Sequence, residues 1–508
     1  MQLDRLRTFI CRNAGGLAWL AFCLGILIRI LPEIGRSVEE IGDIALISRQ
    51  NAMAAHFAVL RGAYSRLGFF HTGPLAFYWM SAVDSLLPSK WFAPLSHYYQ
   101  YALAVWMANT LIGWAAFRSA SHLKLGSIQQ IGIVGALVFF LWNLGPHVYF
   151  SPWGPHLTII PMLWLLMNLA RGAREQYWAL PGLAFAAIWI LHSHAGSLTF
   201  LGPALMLLLY YWLRLLRKGS LLGRNFNRPM ALASIILVVG LAMPIAEAAI
   251  HNGGNLKAIL DYLSENNTWR KPLKSLMFML RAMDGPLSLP FPVFFPASLT
   301  LFLAWSKGRL SPERKTVFYF GLVIVAGSYY GALRTPGVLV PHLFDHLLPV
   351  QATLLVLAVG PAFENRRLLS PTASAWVASI LSALLFSAGI ARSARAPENA
   401  FLPSEMLKKL PVPSPGPETI RLQWTKEDLA VWPKAAGLAL QMERRGYTVC
   451  IDRPYEVLFG PEILCQGKPD ATILLEPAEK KPKNEDGQSI LYKDIRATYT
   501  REPSDASQ

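Results

Sequence analysis

A chain of 508 residues with 53% hydrophobic and only 15% charged side chains is too apolar for a soluble protein of its size. Its formal charge of +16 would point to nucleic acid in a soluble chain, but the basic residues recur between apolar runs and so belong to membrane topology. Neither a Walker loop nor a Rossmann glycine pattern occurs and no Cys or His spacing matches a zinc site, so direct use of ATP or a dinucleotide is not supported.

Apolar runs long enough to cross a hydrocarbon core predict about eleven transmembrane helices, near 15–31, 97–117, 128–143, 156–170, 178–192, 197–213, 230–250, 291–305, 316–333, 343–361 and 373–390. Arg5, Arg7 and Arg12 precede the first run and set the N-terminus in the cytoplasm. Alternate connections then carry Arg118 and Lys124; Arg171 and Arg174; Arg214, Arg217, Lys218, Arg224 and Arg228; Lys307, Arg309, Arg314 and Lys315; and Arg366 and Arg367. The opposite connections 144–155 and 193–196 hold no Lys or Arg, which is the asymmetry of the positive-inside rule. Loops 32–96, 253–290 and 334–341 and everything after 390 therefore face outward. The first run has basic residues before it, as a signal peptide does, but Leu31-Pro32-Glu33 is not a small-residue cleavage site, so it reads as a retained anchor.

The expected fold class is a mainly α, polytopic membrane protein with a small outer-face α/β domain. A membrane domain over 1–392 contains the first outer loop 32–96, with amphipathic segments, and a proline-rich linker follows over 393–417, ending Pro411-Val412-Pro413-Ser414-Pro415-Gly416-Pro417. Within 418–476 a helix is predicted over 432–445 with Gly446 as its cap, and strands over 447–451 and 471–475. The stretch 477–508 is charged and aperiodic, the composition of a disordered tail. Cys11 and Cys23 read as apolar filler, whereas Cys450 and Cys465 share the outer unit, where an oxidising compartment permits a disulfide.

The residues that stand out lie in the first outer loop: Glu39-Glu40-Ile41-Gly42-Asp43, then Tyr64-Ser65-Arg66-Leu67-Gly68, then His71-Thr72-Gly73-Pro74-Leu75-Ala76-Phe77-Tyr78. An acidic cluster just outside a span is costly to keep near lipid unless it binds or reacts with something. A basic N-terminus, one span and a long outer loop with an early acidic residue resemble the start of the GT-C superfamily of membrane glycosyltransferases. The GD dipeptide, the YSR-x-G segment and the H-x-GP-x-x-x-Y segment are similar to a bacterial, polyprenyl-phosphate-sugar-dependent group, akin to mannosyl- and arabinosyltransferases that use dolichyl or undecaprenyl phosphate. The stretch with Trp432, Ala435-Ala436-Gly437, Leu440 and Cys450 resembles the outer C-terminal segment of such proteins.

That resemblance implies an inverting hexosyl or pentosyl transfer from a polyprenyl-phosphate-linked donor to a cell-envelope acceptor at the outer face of a bacterial inner membrane. Membrane lipids are the other partners, and nucleic acid is not one. Asp43 matches the acidic residue that serves as base, Glu40 is the alternative base, and a helix N-cap is the structural alternative for Asp43. Tyr64, Arg66 and His71 are candidate substrate contacts; a structural turn for His71, and pairing of Arg66 with Glu39 or Asp84, are the alternatives. The leaving phosphate calls for fixed positive charge, for which Arg270, Lys271, Lys274 and Arg334 are outer-face candidates, the first three also fitting a headgroup-binding surface. His147, His192, His194, His342 and His346 sit near outer span ends, and His156 with Trp153 could hold a sugar ring or stabilise a turn. No cofactor is implied with certainty, although Glu39, Glu40 and Asp43 could hold a divalent metal. A transporter or flippase of lipid-linked sugars, or an O-antigen ligase or polymerase, are the competing classes; the former predicts charges at mid-membrane, of which Glu247 is one of few.

Overall fold

The computed structural model describes residues 8–92, 96–219, 224–285, 290–306, 308, 310–364, 371–391, 401–424, 430–479 and 488–502. The chain divides into two compact units: Met1–Pro32 with Ala102–Ala394, and Glu33–Tyr101 with Arg395–Gln508. Arg5, Arg7, Lys307, Arg309, Arg366 and Arg367, on which part of the charge asymmetry rests, lie outside the described residues.

Each predicted apolar run is helical. The helices are Ala14–Ile30, Tyr98–His122, Ser127–Phe140, Ile159–Ala173, Leu180–Ser193, Leu198–Leu216, Arg224–Ile250, Phe294–Trp305, Pro312–Arg334, Leu348–Glu364 and Pro371–Ala391. Among the described residues, five stretches are long and apolar enough to span a bilayer unaided: Ala14–Glu33, Ala195–Leu216, Phe226–Ile250, Pro312–Arg334 and Pro341–Pro361. Shorter apolar helices accompany them, and the protein is a mainly α, multi-pass membrane protein.

Lipid offers backbone and side-chain polar groups no partner, so they must pair inside the bundle. Trp19 Nε1 donates to the Asn109 carbonyl at 3.2 Å, and Asn109 Nδ2 donates to the Tyr149 carbonyl at 3.0 Å. Helices Ala14–Ile30 and Pro371–Ala391 approach through glycine: a Cβ on Gly25 would meet the Phe386 carbonyl oxygen, and one on Gly389 that of Phe22. Small residues are what allow helix backbones to come this close in a membrane. Glu247, one of the few acidic residues of the spans, accepts the Asn255 backbone N–H on both oxygens, at 3.1 and 2.9 Å, at the start of helix Gly254–Glu265. Its charge is thereby used at a helix N-terminus, which removes it as a reason to read coupled transport.

The second unit corrects the expected domain division, because the first loop folds with the C-terminal region. Ala45 and Leu46 of helix Gly42–Ala54 share one apolar core with Ile420, Leu422, Leu438, Ile451, Ile473 and Ala497. Two short strands, β1 (Tyr64–Ser65) and β2 (Phe69–Phe70), form a hairpin in the loop. The C-terminal sheet consists of β3 (Thr419–Trp424), β4 (Thr448–Ile451), β5 (Ala471–Pro477), β6 (Gln488–Tyr492) and β7 (Ile495–Arg501), in the order β4-β3-β5-β7-β6. β4, β3 and β5 run parallel, and β7 and β6 are added antiparallel.

Helix Trp432–Arg444 ends as predicted. Gly446 takes φ +86°, its N–H donates to the Glu443 carbonyl at 3.0 Å, and Tyr447 N–H reaches the Met442 carbonyl at 3.1 Å. This is a Schellman cap, which favours glycine because the left-handed conformation crowds a Cβ. Two expectations fail. The disordered tail is replaced, over its described part, by β6 and β7, since Ile495 and Ala497 alternate inward against β5 and outweigh the charged composition. The linker holds helix Pro403–Lys409, which buries Met406 and Leu407, while 393–400 lies outside the described residues.

Cys450 and Cys465 form a disulfide, with Cα atoms 4.8 Å apart. They lie 15 positions apart in the sequence. Replacing both by serine is expected to lower the stability of this unit by about 3 kcal/mol, the chain-entropy value for a loop of this length. Urea unfolding of the full-length protein checks this, and an unmoved midpoint would mean that the staple contributes nothing.

Candidate active site

The acidic cluster is resolved into three different roles by its partners. Glu39 accepts from the Ser404 backbone N–H at 2.8 Å and from the Ser404 hydroxyl, at the start of helix Pro403–Lys409. Glu40 is wholly buried and accepts from Arg444 Nη1 at 2.8 Å and Nη2 at 3.1 Å, with Ser48 donating at 3.3 Å. A carboxylate whose oxygens are both gripped by one guanidinium fork has little capacity left to take a proton from substrate. This pairing gives Glu40 a structural role and favours Asp43 over it as the base. Among the described residues no group of three His, Cys, Asp or Glu has metal-ligating geometry.

Asp43 is different. It lies in the first turn of helix Gly42–Ala54, whose N-cap is Ile41, so it is not the cap that the sequence allowed. Its Oδ1 accepts from the Tyr64 hydroxyl at 2.8 Å, and the side chain is only half-buried. Burial, with the Asp43 charge as a second cause, pushes the Tyr64 phenol up from its ordinary value, so it keeps its proton and donates to the carboxylate. The Tyr64 ring in turn stands edge-on to Trp432, 5.9 Å between centroids. Gly42 has φ +57°, and a Cβ there would lie 3.3 Å from Pro433 Cβ. Only glycine meets both demands without strain. The GD dipeptide, the YSR segment and the Trp432 stretch, far apart in sequence, thus form one constellation around Asp43.

The other loop candidates are distributed around the hairpin. Arg66 is exposed at the turn between β1 and β2. Of its two suggested partners, Glu39 is held by Ser404 and Asp84 lies 3.2 Å from His97 Nδ1. His71 extends the hairpin: its N–H donates to the Ala63 carbonyl and its own carbonyl accepts from Gly62 N–H, both at 2.8 Å. That fixes the His71 backbone just before Pro74, the N-cap of helix Leu75–Leu86. Further anchors hold the loop in its unit: Arg49 Nε contacts Glu443 at 3.0 Å and Arg61 Nη2 contacts Glu462 at 2.6 Å.

In the helical unit, Arg270 and Arg334 are drawn together by backbone. Arg270 N–H donates to the Leu333 carbonyl at 3.0 Å, and Arg270 Nε to the Thr335 carbonyl at 2.7 Å. Its Nη2 also donates to the Gly337 carbonyl, and Arg334 donates to the Asn266 carbonyl. The two guanidinium groups therefore clasp two connections and leave their charge without a carboxylate among the described residues. Lys271, the N-cap of helix Pro272–Met283, and Lys274 on its first turn are exposed beside them.

His156 is buried on the short helix Gly154–Leu157, with the Trp153 ring 5.0 Å away, edge-on. Its Nε2 is 3.9 Å from Asp345 Oδ2. His346 instead pairs with the Ser328 hydroxyl at 2.9 Å and stacks on Phe200. Sequence reasoning missed Asp345 and Arg444. A carboxylate within an apolar run was a usable signal for Asp345. Nothing local points from Arg444 to a partner 404 residues away.

A multi-pass bundle with a long first loop and a small C-terminal sheet is a fold that this chain shares with a solved membrane protein. It is similar to the crystal structure of ArnT from Cupriavidus metallidurans bound to undecaprenyl phosphate, with a TM-score of 0.58 and 12% identity. The match covers 94% of this chain and 97% of ArnT. No protein-family model and no curated protein matches the sequence.

Proposed function

We propose that this chain is a membrane glycosyltransferase that moves a sugar from a polyprenyl-phosphate carrier to a hydroxyl of a cell-envelope acceptor. The observation that carries the reading is Asp43, oriented by Tyr64 at a glycine-permitted helix start, on a GT-C fold. The similar ArnT structure, which holds undecaprenyl phosphate, supports a lipid phosphate as the leaving group. In the step, Asp43 takes the acceptor hydroxyl proton as its oxygen bonds to the anomeric carbon, and the bond from that carbon to the phosphate oxygen breaks. One displacement inverts the anomeric centre, and the polyprenyl phosphate departs with the bonding electron pair.

Fixed cations are needed where that negative charge appears. Arg66 at the hairpin turn, with His71 as a hydrogen-bond donor, is the group assigned to it in the unit that holds Asp43. In this reading the protein works from the bacterial inner membrane, with its N-terminus cytoplasmic and the Asp43 loop outside, an orientation that the inner-face bias of Lys and Arg supports. Cells lacking the protein should accumulate one polyprenyl-phosphate sugar, identified by its mass in lipid extracts. An unchanged profile of lipid-linked sugars would contradict the assignment.

A further inference from the structure

The mechanism above leaves unused a cluster of polar and aromatic side chains in the helical unit, built by three connections of the bundle. The 3-10 turn Pro146–Tyr149 and the short helix Gly154–Leu157 bring His147, Trp153 and His156; the 3-10 helix Pro341–Leu347 brings His342 and Asp345. His194, just before the turn Ala195–Ser197, lies within electrostatic reach of His342. Ring centroids separate Trp153 from His342 by 4.7 Å, Trp153 from His156 by 5.0 Å, and His147 from His156 by 5.8 Å.

Burial within the cluster is graded. His147, Trp153, His194 and His342 are half-buried, while His156 is 6% and Asp345 4% exposed. At that depth His156 Nδ1 and Asp345 Oδ2 have no hydrogen-bond partner among the described residues. Their nearest approach, 3.9 Å between His156 Nε2 and Asp345 Oδ2, is beyond hydrogen-bonding range. Leaving a buried polar group unmade is costly, and two such groups in one cluster beside the Trp153 ring are an unmet demand for a ligand. The missing partner must present hydroxyl donors to a carboxylate and an imidazole, and an apolar face to an indole. A sugar ring has both.

We infer that Trp153, His156, His342 and Asp345 form a binding site for a monosaccharide ring. This deepens the proposed transfer reaction and rests on it for its purpose, not for its test. The sugar could be that of the lipid-linked donor or that of the acceptor, and its hydroxyls would donate to Asp345 and His156 with one face on Trp153.

Binding to the purified full-length protein in lipid nanodiscs separates these sources. The probes are sugarless undecaprenyl phosphate, undecaprenyl-phosphate hexoses and pentoses, and the methyl glycosides of the same sugars. Asp345→Asn and His156→Gln should weaken binding of sugar-bearing probes by about tenfold or more, from loss of a buried hydrogen bond, with binding of the sugarless carrier retained. Loss confined to the lipid-linked probes assigns the cluster to the donor sugar, and loss confined to the glycosides assigns it to the acceptor. Trp153→Leu at its half-exposed position repeats the test if the buried variants fail to fold. Failure of the wild-type protein to bind any sugar-bearing probe, unchanged affinities in folded variants, or an equal loss for the sugarless carrier would overturn the inference. Because no turnover is needed, a protein that bound sugar here yet transferred none would refute the reaction and leave the site standing.

Discussion

Asp43→Asn is expected to lower sugar transfer by about 10²–10⁴-fold, the usual worth of a positioned general base. Asparagine keeps the size of the side chain and an oxygen that can accept from the Tyr64 hydroxyl, so helix Gly42–Ala54 should start as before. What it cannot do is take the acceptor proton. The loss should therefore appear in kcat, with folding and binding of the lipid carrier intact. Tyr64→Phe removes the donor that orients the carboxylate and should cost less, because the base itself remains. Transfer by a well-folded Asp43→Asn variant at the wild-type rate would show that the proton goes elsewhere.

Arg444→Ala should be the most destabilising single change in the mixed unit, by about 3–5 kcal/mol, the cost of stranding a buried charge. Glu40 has no exposed side-chain surface and depends on that guanidinium for two hydrogen bonds. Thermal unfolding of the purified protein measures the loss. Replacing both partners, Glu40→Leu with Arg444→Met, should recover most of it, because an apolar pair leaves no uncompensated charge. Should the double variant prove as unstable as Arg444→Ala, the pair would be holding the loop by its specific geometry. Activity should fall in the single variant as well, since Gly42 and Asp43 lie only two and three residues after Glu40.

The parts of this architecture legible in the sequence are those fixed by local physics. Apolar runs of span length are hard to accommodate except as helices, and all eleven are helical. The Trp432–Arg444 helix with its Gly446 cap, and strands β4 and β5, follow from periodicity and a single glycine. Long-range pairing was not legible. Composition made 477–508 look disordered because charge masked the alternation of Ile495 and Ala497, whose partner strand β5 makes that alternation count. In the same way Met406 and Leu407 looked like linker residues until the core that receives them had been formed.

The site divides along the same line. Asp43 could be picked out because a carboxylate beside a membrane span needs a reason to be there. Its separation from Glu40 could not, since that depends on Arg444 arriving from the C-terminal helix. The roles of Gly42 and Tyr64 were visible as motif letters but not as geometry. Only the folded unit brings Pro433 against the glycine and Trp432 against the tyrosine.

The most direct measurement of the central claim follows the sugar–phosphate bond. The purified protein in sealed vesicles is supplied with lipid extract and envelope fraction from its own cells, and polyprenyl-phosphate species are read by mass spectrometry. The wild-type protein should convert one sugar-bearing carrier to the free phosphate and add the same sugar mass to an acceptor, and Asp43→Asn should do neither. Carrier that crosses the bilayer with its sugar still attached, in equal amount with either protein, would contradict a transferase and indicate a transporter.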